Sequence, residues 1–231
     1  MINLIRLELK KTKLGWYFNG AIIATILITA LIIGIDYVEK IEGNSVPFNG
    51  LEEAFIVIGA AVRSTFIVFA SVLLSKLIID EYKNKTIFLM YSYPIQRKKL
   101  IAAKLLITGG LTFITIVISN SIVVVAFLII NNHLQLISES FSVQQFSLLF
   151  IRIVTFAIAA AGASLVPLYF GLRKQSVPAT IISSLLIIVV TGQHNPVFSL
   201  ANVIYIPAAF AVFGILIAIW TIRNVNKVDV W

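Results

Sequence analysis

Residues 76–104 read KLIIDEYKNKTIFLMYSYPIQRKKLIAAK, and this polar stretch decides how the chain folds. Long apolar runs flank it on both sides, while the stretch itself contains an acidic pair, a proline and the densest cluster of cations in the sequence. A polar segment between two membrane spans must lie in water, because the bilayer core offers no partners for its polar groups. The stretch is therefore predicted to be a loop through which the protein meets the aqueous phase.

The composition indicates an integral membrane protein. The chain has 231 residues, of which 59% are hydrophobic and only 12% are charged, and its mean hydropathy is +1.00. Soluble domains carry roughly a quarter charged residues, so this chain could not cover a water-facing surface. Its apolar runs reach the roughly 20 residues that a helix needs to cross a bilayer, and they lack the alternation of barrel strands. The sequence predicts an all-α, polytopic membrane protein.

The apolar runs predict six transmembrane helices in a single transmembrane domain that covers 1–231. The fifth run is the shortest, and a partly re-entrant segment is the alternative to a full crossing. Residues 1–15 place Arg6, Lys10 and Lys13 on one helical stripe, which predicts an amphipathic helix in the plane of the membrane. An ordinary basic flank before the first span is the alternative. The spans are predicted at about 17–35, 54–79, 105–130, 148–171, 176–190 and 202–222.

The distribution of cations predicts the orientation of the chain. Lys and Arg residues concentrate in the N-terminal segment, in the polar stretch, at residues 173–174 and in the tail, whereas the three opposite loops contain only Lys40. Cytoplasmic loops are enriched in Lys and Arg, so both termini and the polar stretch are predicted to be cytoplasmic. The same distribution accounts for the net charge of +8 without a nucleic-acid partner.

Motifs of catalysis are missing from the sequence. It has no cysteine, no Gly-Lys-Ser/Thr triplet for a phosphate loop and no Gly-x-Ser-x-Gly elbow. His133 and His194 fall in predicted outer loops, and neither has a histidine or an acidic residue at ligand spacing. The chain is therefore predicted to be neither an enzyme nor a metal-binding protein.

Two features inside the predicted spans invite interpretation. Arg63 lies about nine residues inside the second span, and exposing it to lipid would cost several kcal/mol. Either it faces a cavity that attracts an anionic or amphipathic substrate, or it snorkels outward to the interface. In the fourth span, the small residues Ala160, Gly162 and Ser164 predict a face where helices approach closely.

The polar stretch also carries a family resemblance. Four groups of residues follow one another in an order typical of a cytoplasmic loop in one family of membrane proteins. They are Glu81-Tyr82-Lys83, Thr86, the run from Ser92 to Arg97, and the triplet 102–104. In these residues the chain resembles permease subunits of the ABC transporter 2 class, also called type V exporters, whose first cytoplasmic loop has this pattern. Lys85 departs from it, since glycine is usual there. The in-plane segment and the six-span plan extend the resemblance over the whole chain.

The resemblance implies a transmembrane subunit without its motor. Two permeases, identical or homologous, would pair in the plasma membrane of a Gram-positive bacterium, and two copies of a cytoplasmic ABC ATPase would bind ATP and Mg²⁺. A coupling helix between spans two and three would dock on the ATPase. Small members of similar build export amphipathic peptides, such as bacteriocins, lantibiotics and phenol-soluble modulins, or give immunity to them. The alternative is a membrane scaffold or peptide sensor that transports nothing. The residues implied for docking are Asp80, Glu81, Tyr82, Lys83, Thr86, Ser92, Pro94, Arg97 and Lys98.

Overall fold

The structure, a computed structural model, describes residues 2–12, 14–42, 50–84, 97–134, 143–191 and 205–224. Within these ranges every regular element is a helix, which confirms the predicted all-α class. A π-helical turn, Ser75–Ile79, joins the third helix to the fourth without interruption. The helices are α1 (Ile2–Lys11), α2 (Gly15–Glu42), α3 (Leu51–Leu74), α4 (Asp80–Lys83), α5 (Arg97–Leu134), α6 (Val143–Ala163), α7 (Pro167–Lys174), α8 (Val177–Thr191) and α9 (Tyr205–Asn224).

Five helical segments are long and apolar enough to cross a membrane, and this confirms a polytopic protein. The sixth apolar helix, α8, has 15 residues and is about 22 Å long, shorter than the roughly 30 Å hydrocarbon core. A complete sixth crossing therefore stays a prediction. The five segments are Gly15–Ile35, Leu51–Lys83, Lys98–Asn132, Ser147–Lys174 and Tyr205–Arg223.

The helices extend further into the predicted loops than the sequence indicates. Helix α2 continues to Glu42, because the residues after Asp36 include no helix breaker before Gly43. The acidic pair Asp80-Glu81 does not end the second span, since helical structure continues through Lys83. Helix α5 already begins at Arg97, several residues before the apolar run itself. Polar residues with good helix propensity thus lengthen the spans at their ends.

The fourth span is broken. Helix α6 ends at Ala163, the chain turns over 164–166, and α7 begins with Pro167. Proline lacks an amide hydrogen and its ring clashes with the preceding helical turn, whereas the first turn of a new helix tolerates both properties. The break therefore coincides with the proline that the sequence places inside the span.

Helix α3 lies at the centre of the bundle, where it packs against α2, α5, α6 and α8. Its fully buried residues include Ile58, Val62 and Phe66. Hydroxyl pairs link helices across this interior: Thr25 and Ser119 oxygens are 2.8 Å apart, and Ser184 donates a 3.1 Å hydrogen bond to Ser71. Such bonds satisfy hydroxyl groups that the bilayer cannot hydrate. The remaining pair joins Tyr17 to Thr115 at 3.2 Å.

Candidate functional site

Four charged side chains meet where the polar stretch leaves the second span. Lys104 Nζ lies 2.7 Å from Glu81 Oε2 and 3.4 Å from Glu8 Oε1. Lys11 Nζ lies 2.8 Å from the other Glu81 oxygen. These residues, Glu8, Lys11, Glu81 and Lys104, are called the ionic cluster below. They come from α1, α4 and α5, so the cluster joins the N-terminal helix to both ends of the polar stretch.

The π-helical turn positions one side of the cluster. In a π-helix each amide donates to the carbonyl five residues earlier, and here the Asp80 amide donates to the Ser75 carbonyl. Glu81 is the next residue. Within the turn, the Leu77 carbonyl accepts a 2.8 Å hydrogen bond from Lys104 Nζ. The ammonium group is thereby held by a backbone carbonyl as well as by carboxylates. Lys104 thus fixes the start of α5 against the end of the second span.

The ionic cluster is largely shielded from water. The side chain of Lys104 is fully buried, and 5% of the Glu8 side chain and 14% of the Glu81 side chain remain exposed. Lys11 is about half exposed and closes the cluster on its outer side. Among the described residues, two carboxylates face two ammonium groups, and this pairing offsets the cost of burying the charges. The second carboxylate oxygen of Glu8 is buried and has no hydrogen-bond partner within the described part of the chain.

The cluster was only partly predictable. Glu81 was expected in the docking loop and Lys104 among the cytoplasmic cations, but their pairing was not expected. Glu8 was missed, although one signal pointed to it: it is the only acidic residue among the first 35. An isolated acid in a basic amphipathic segment indicates an internal partner, and here that partner is Lys104.

The structure describes only part of the predicted docking loop. Asp80, Glu81, Tyr82 and Lys83 form α4, with Lys83 exposed, and Arg97 and Lys98 begin α5. Thr86, Ser92 and Pro94, together with the predicted coupling helix, lie outside the described residues. Contact between this loop and an ATPase therefore stays a prediction.

Arg63 points into the bundle. Its guanidinium carbon lies 4.3 Å from the centre of the Phe156 ring on α6, a distance typical of a cation–π contact. A side-chain carbon added to Gly59 would lie 3.2 Å from Arg63 Nη1 and 3.6 Å from the amide nitrogen of the buried Asn120. The absence of a side chain at Gly59 thus leaves room for the guanidinium among α3, α5 and α6. This geometry places the guanidinium between helices, and a substrate cavity at Arg63 stays a prediction.

The three small residues of the fourth span lie in packed interior. Ala160 and Ser164 are buried, and the Ser164 hydroxyl donates a 2.7 Å hydrogen bond to the Ala161 carbonyl. Gly162 packs directly on α9, since a side-chain carbon there would come within 2.7 Å of Ala211 Cβ. A side-chain carbon on Gly214 would collide with the Gly162 carbonyl. Backbones of α6 and α9 thus approach closely at this pair of glycines.

Comparison with known proteins identifies the family. Residues 4–191 match the model of the ABC-2 family transporter protein. The chain is also similar to the uncharacterized protein YcbO of Bacillus subtilis (strain 168), with 48% identity over 228 residues, which cover 99% of this chain and 100% of that protein. No solved structure matches the chain.

The family assignment agrees with the architecture. The matched residues include the ionic cluster, the polar stretch and the broken fourth span. In this family the transmembrane subunit is distinct from the ATPase. Membership of the family therefore implies an ABC ATPase subunit as the partner of this chain. The chain belongs to the ABC-2 transporter family and is a membrane permease subunit of an ABC transporter.

Proposed function

We propose that this permease exports amphipathic or hydrophobic substrates, foremost peptides, in an ATP-driven complex that serves antimicrobial-peptide or toxin export, or immunity to such peptides. Phenol-soluble modulins and bacteriocins belong to this substrate class. The proposal takes its chemistry from the apolar bundle, which contains a cation, Arg63, in its interior. An apolar environment with one inward cation suits a molecule that is largely hydrophobic and carries anionic groups.

The ionic cluster is the observation that carries the proposal. An exporter must convert movement of a cytoplasmic ATPase into movement of membrane helices, and this needs a stiff connection at the loop. Both oxygens of Glu81 are held, one by Lys104 and one by Lys11. A force applied at the polar stretch would therefore reach α1 and α5 together. A loose loop would absorb the same force.

The complex that we propose has two permeases and two ATPase subunits, with ATP and Mg²⁺ bound by the ATPase. The permease lies in the plasma membrane of a Gram-positive bacterium, and both of its termini are cytoplasmic. The similarity to a Bacillus subtilis protein supports the host assignment, and the cation distribution supports the orientation. The predicted coupling helix docks in a groove of the ATPase.

The test is peptide uptake into inverted vesicles that contain the permease and its ATPase. We expect ATP-dependent accumulation of a fluorescent, anionic amphipathic peptide. Arg97→Glu should abolish both accumulation and peptide-stimulated ATP hydrolysis, because it reverses charge at the docking loop. Lys10→Glu, at an exposed position of α1, is the matched control and should leave both activities intact.

Two outcomes would contradict the proposal. If the peptide accumulated equally with and without ATP, ATP-driven export would be refuted. If the purified permease contained no ATPase, the protein would be a membrane scaffold or peptide sensor instead. Full coupling in the Arg97→Glu variant would refute the docking assignment alone.

A further inference from the structure

An open groove of about 750 Å³ lies between Tyr169 of α7 and the stretch of α9 from Phe213 to Arg223. Tyr169 of α7 forms one wall, while Phe213, Leu216, Trp220 and Arg223 of α9 form the other. Most of the α9 wall is exposed, including Phe213 at 61% and Trp220 at 56%. The lining is therefore apolar along its length and cationic at one end.

The cationic end has an ordered arrangement of polar groups. The rings of Tyr169 and Trp220 lie 6.2 Å apart, and Arg173 Nη1 lies 3.4 Å from the Tyr169 hydroxyl. Arg223 of α9 therefore lines the groove directly, and Arg173 of α7 is linked to it through the Tyr169 hydroxyl. Tyrosine and tryptophan favour the headgroup region of a bilayer, where one part of the ring is apolar and the other is hydrated.

The charge at this end lacks acidic compensation in the neighbouring sequence. The segment from Ser140 to Val228 contains five Lys or Arg residues and no Asp or Glu. None of the described residues that line the groove is acidic either. An arginine in the lining, a second arginine beside it and no acidic lining residue favour an anion as the ligand at this end.

The length of the groove fits one leaflet of a membrane. From Phe213 to Arg223 the helix advances about 15 Å, and half of a hydrocarbon core of roughly 30 Å has the same thickness. A lipid whose headgroup lies at Arg223 would extend its acyl chain along Leu216 to Phe213. A soluble anion would leave this apolar wall unused.

A second copy of the chain suits the groove less well than a lipid. A two-fold symmetric interface built on this patch would contain the Arg173 and Arg223 of both subunits, four cations in one interface. Like charges at close range repel, and the segment supplies no carboxylate between them.

We infer that this groove is a binding site for an anionic phospholipid. The phosphate-containing headgroup is bound by Arg223, the Tyr169 hydroxyl and Arg173. The acyl chain is bound by the Phe213–Trp220 face of α9. Basic pockets between membrane helices are a recurrent mode of recognising anionic headgroups. The site is separate from the ionic cluster and from Arg63, and it does not depend on what the permease transports.

The test uses Trp220 as a probe. The full-length chain has three tryptophans, so Trp16→Phe with Trp231→Phe leaves one fluorophore in the groove. The protein is placed in phosphatidylcholine vesicles that contain either brominated phosphatidylglycerol or brominated phosphatidylcholine at equal mole fraction. We expect the anionic lipid to quench Trp220 with a relative association constant about fivefold or more above that of the neutral lipid.

Variants assign the preference to the groove. Arg173→Gln with Arg223→Gln should reduce the relative association constant to about one, whereas Arg6→Gln, an exposed cation on α1, should not change it. Equal quenching by both lipids in the unsubstituted groove, or a preference that survives the double substitution, would overturn the inference. The chain has no cysteine, so Phe213→Cys gives a second measurement in the same vesicles. Efficient disulfide cross-linking of two copies through this residue would show a dimer interface there instead of a lipid site.

Discussion

Replacing Lys104 by methionine would remove the cation that the ionic cluster is built around. Its ammonium nitrogen lies within 3.4 Å of two carboxylates and donates to the Leu77 carbonyl, and its side chain has no exposed surface. Methionine keeps the length of the side chain but leaves Glu8 buried without a countercharge. Breaking a buried ion pair from one side costs about 3–5 kcal/mol, so we expect the free energy of unfolding to fall by about that amount.

A double-mutant cycle separates the ion pair from a general packing defect. Glu8→Gln removes the orphaned charge, so adding it to Lys104→Met should restore part of the lost stability, with a coupling free energy of about 0.5–3 kcal/mol. Equilibrium unfolding of the purified protein in mixed micelles measures all variants. Lys99→Met, an exposed lysine of the same helix, is the control and should change little. If Lys104→Met were as stable as Lys99→Met, with no coupling to Glu8, the ionic cluster would not stabilise the fold.

Two further predictions concern the membrane interior. Gly214→Ala should reduce the free energy of unfolding by about 1–3 kcal/mol, because the new carbon would collide with the Gly162 carbonyl. Gly110→Ala is the control. No atom lies within 4 Å of its new carbon, so this substitution should be neutral or stabilising in the same unfolding assay. Equal effects of the two substitutions would contradict close packing of α6 on α9. Arg63→Leu should alter export of anionic peptides, measured by vesicle uptake, and should leave assembly with the ATPase intact, measured by co-purification. Unchanged export would show that Arg63 does not contact the transported peptide.

The all-α, polytopic class was predictable because average hydropathy over about 20 residues identifies apolar helices. Each candidate membrane helix covers one apolar run of the sequence, and the break before Pro167 follows from the chemistry of proline. The ends of the helices were less predictable, since α5 begins at Arg97 among polar residues whose helix propensity is satisfactory. A window of average hydropathy cannot place a boundary in such a segment.

The ionic cluster shows what pattern analysis of one sequence misses. Glu8 and Lys104 are 96 positions apart, and their pairing depends on how α1 packs against α5. Counting cations by loop placed Lys104 at the boundary of the polar stretch and gave no sign that its side chain is completely buried. For Arg63 the sequence left two interpretations open; the structure adds the packing of Phe156 and Gly59 around the guanidinium, and a role in a substrate cavity stays a prediction.

The ionic cluster and Arg63 place charged groups in two separate parts of the bundle. The ionic cluster holds the start of the polar stretch against α1 and α5, and Arg63 lies among α3, α5 and α6. The family implies an ABC ATPase as a separate partner subunit, and the proposed export takes its energy from ATP hydrolysis in that subunit. The proposed export activity therefore depends on a physical complex with that subunit.

Purification of the tagged permease from its native membrane in a mild detergent tests this dependence most directly. We expect that an ABC ATPase co-purifies in equal amount, that the complex hydrolyses ATP, and that Arg97→Glu releases the ATPase while the permease remains folded. A monodisperse permease that carries no ATPase, from membranes in which that ATPase is present, would contradict the proposed ATP-driven export and favour a scaffold or sensor.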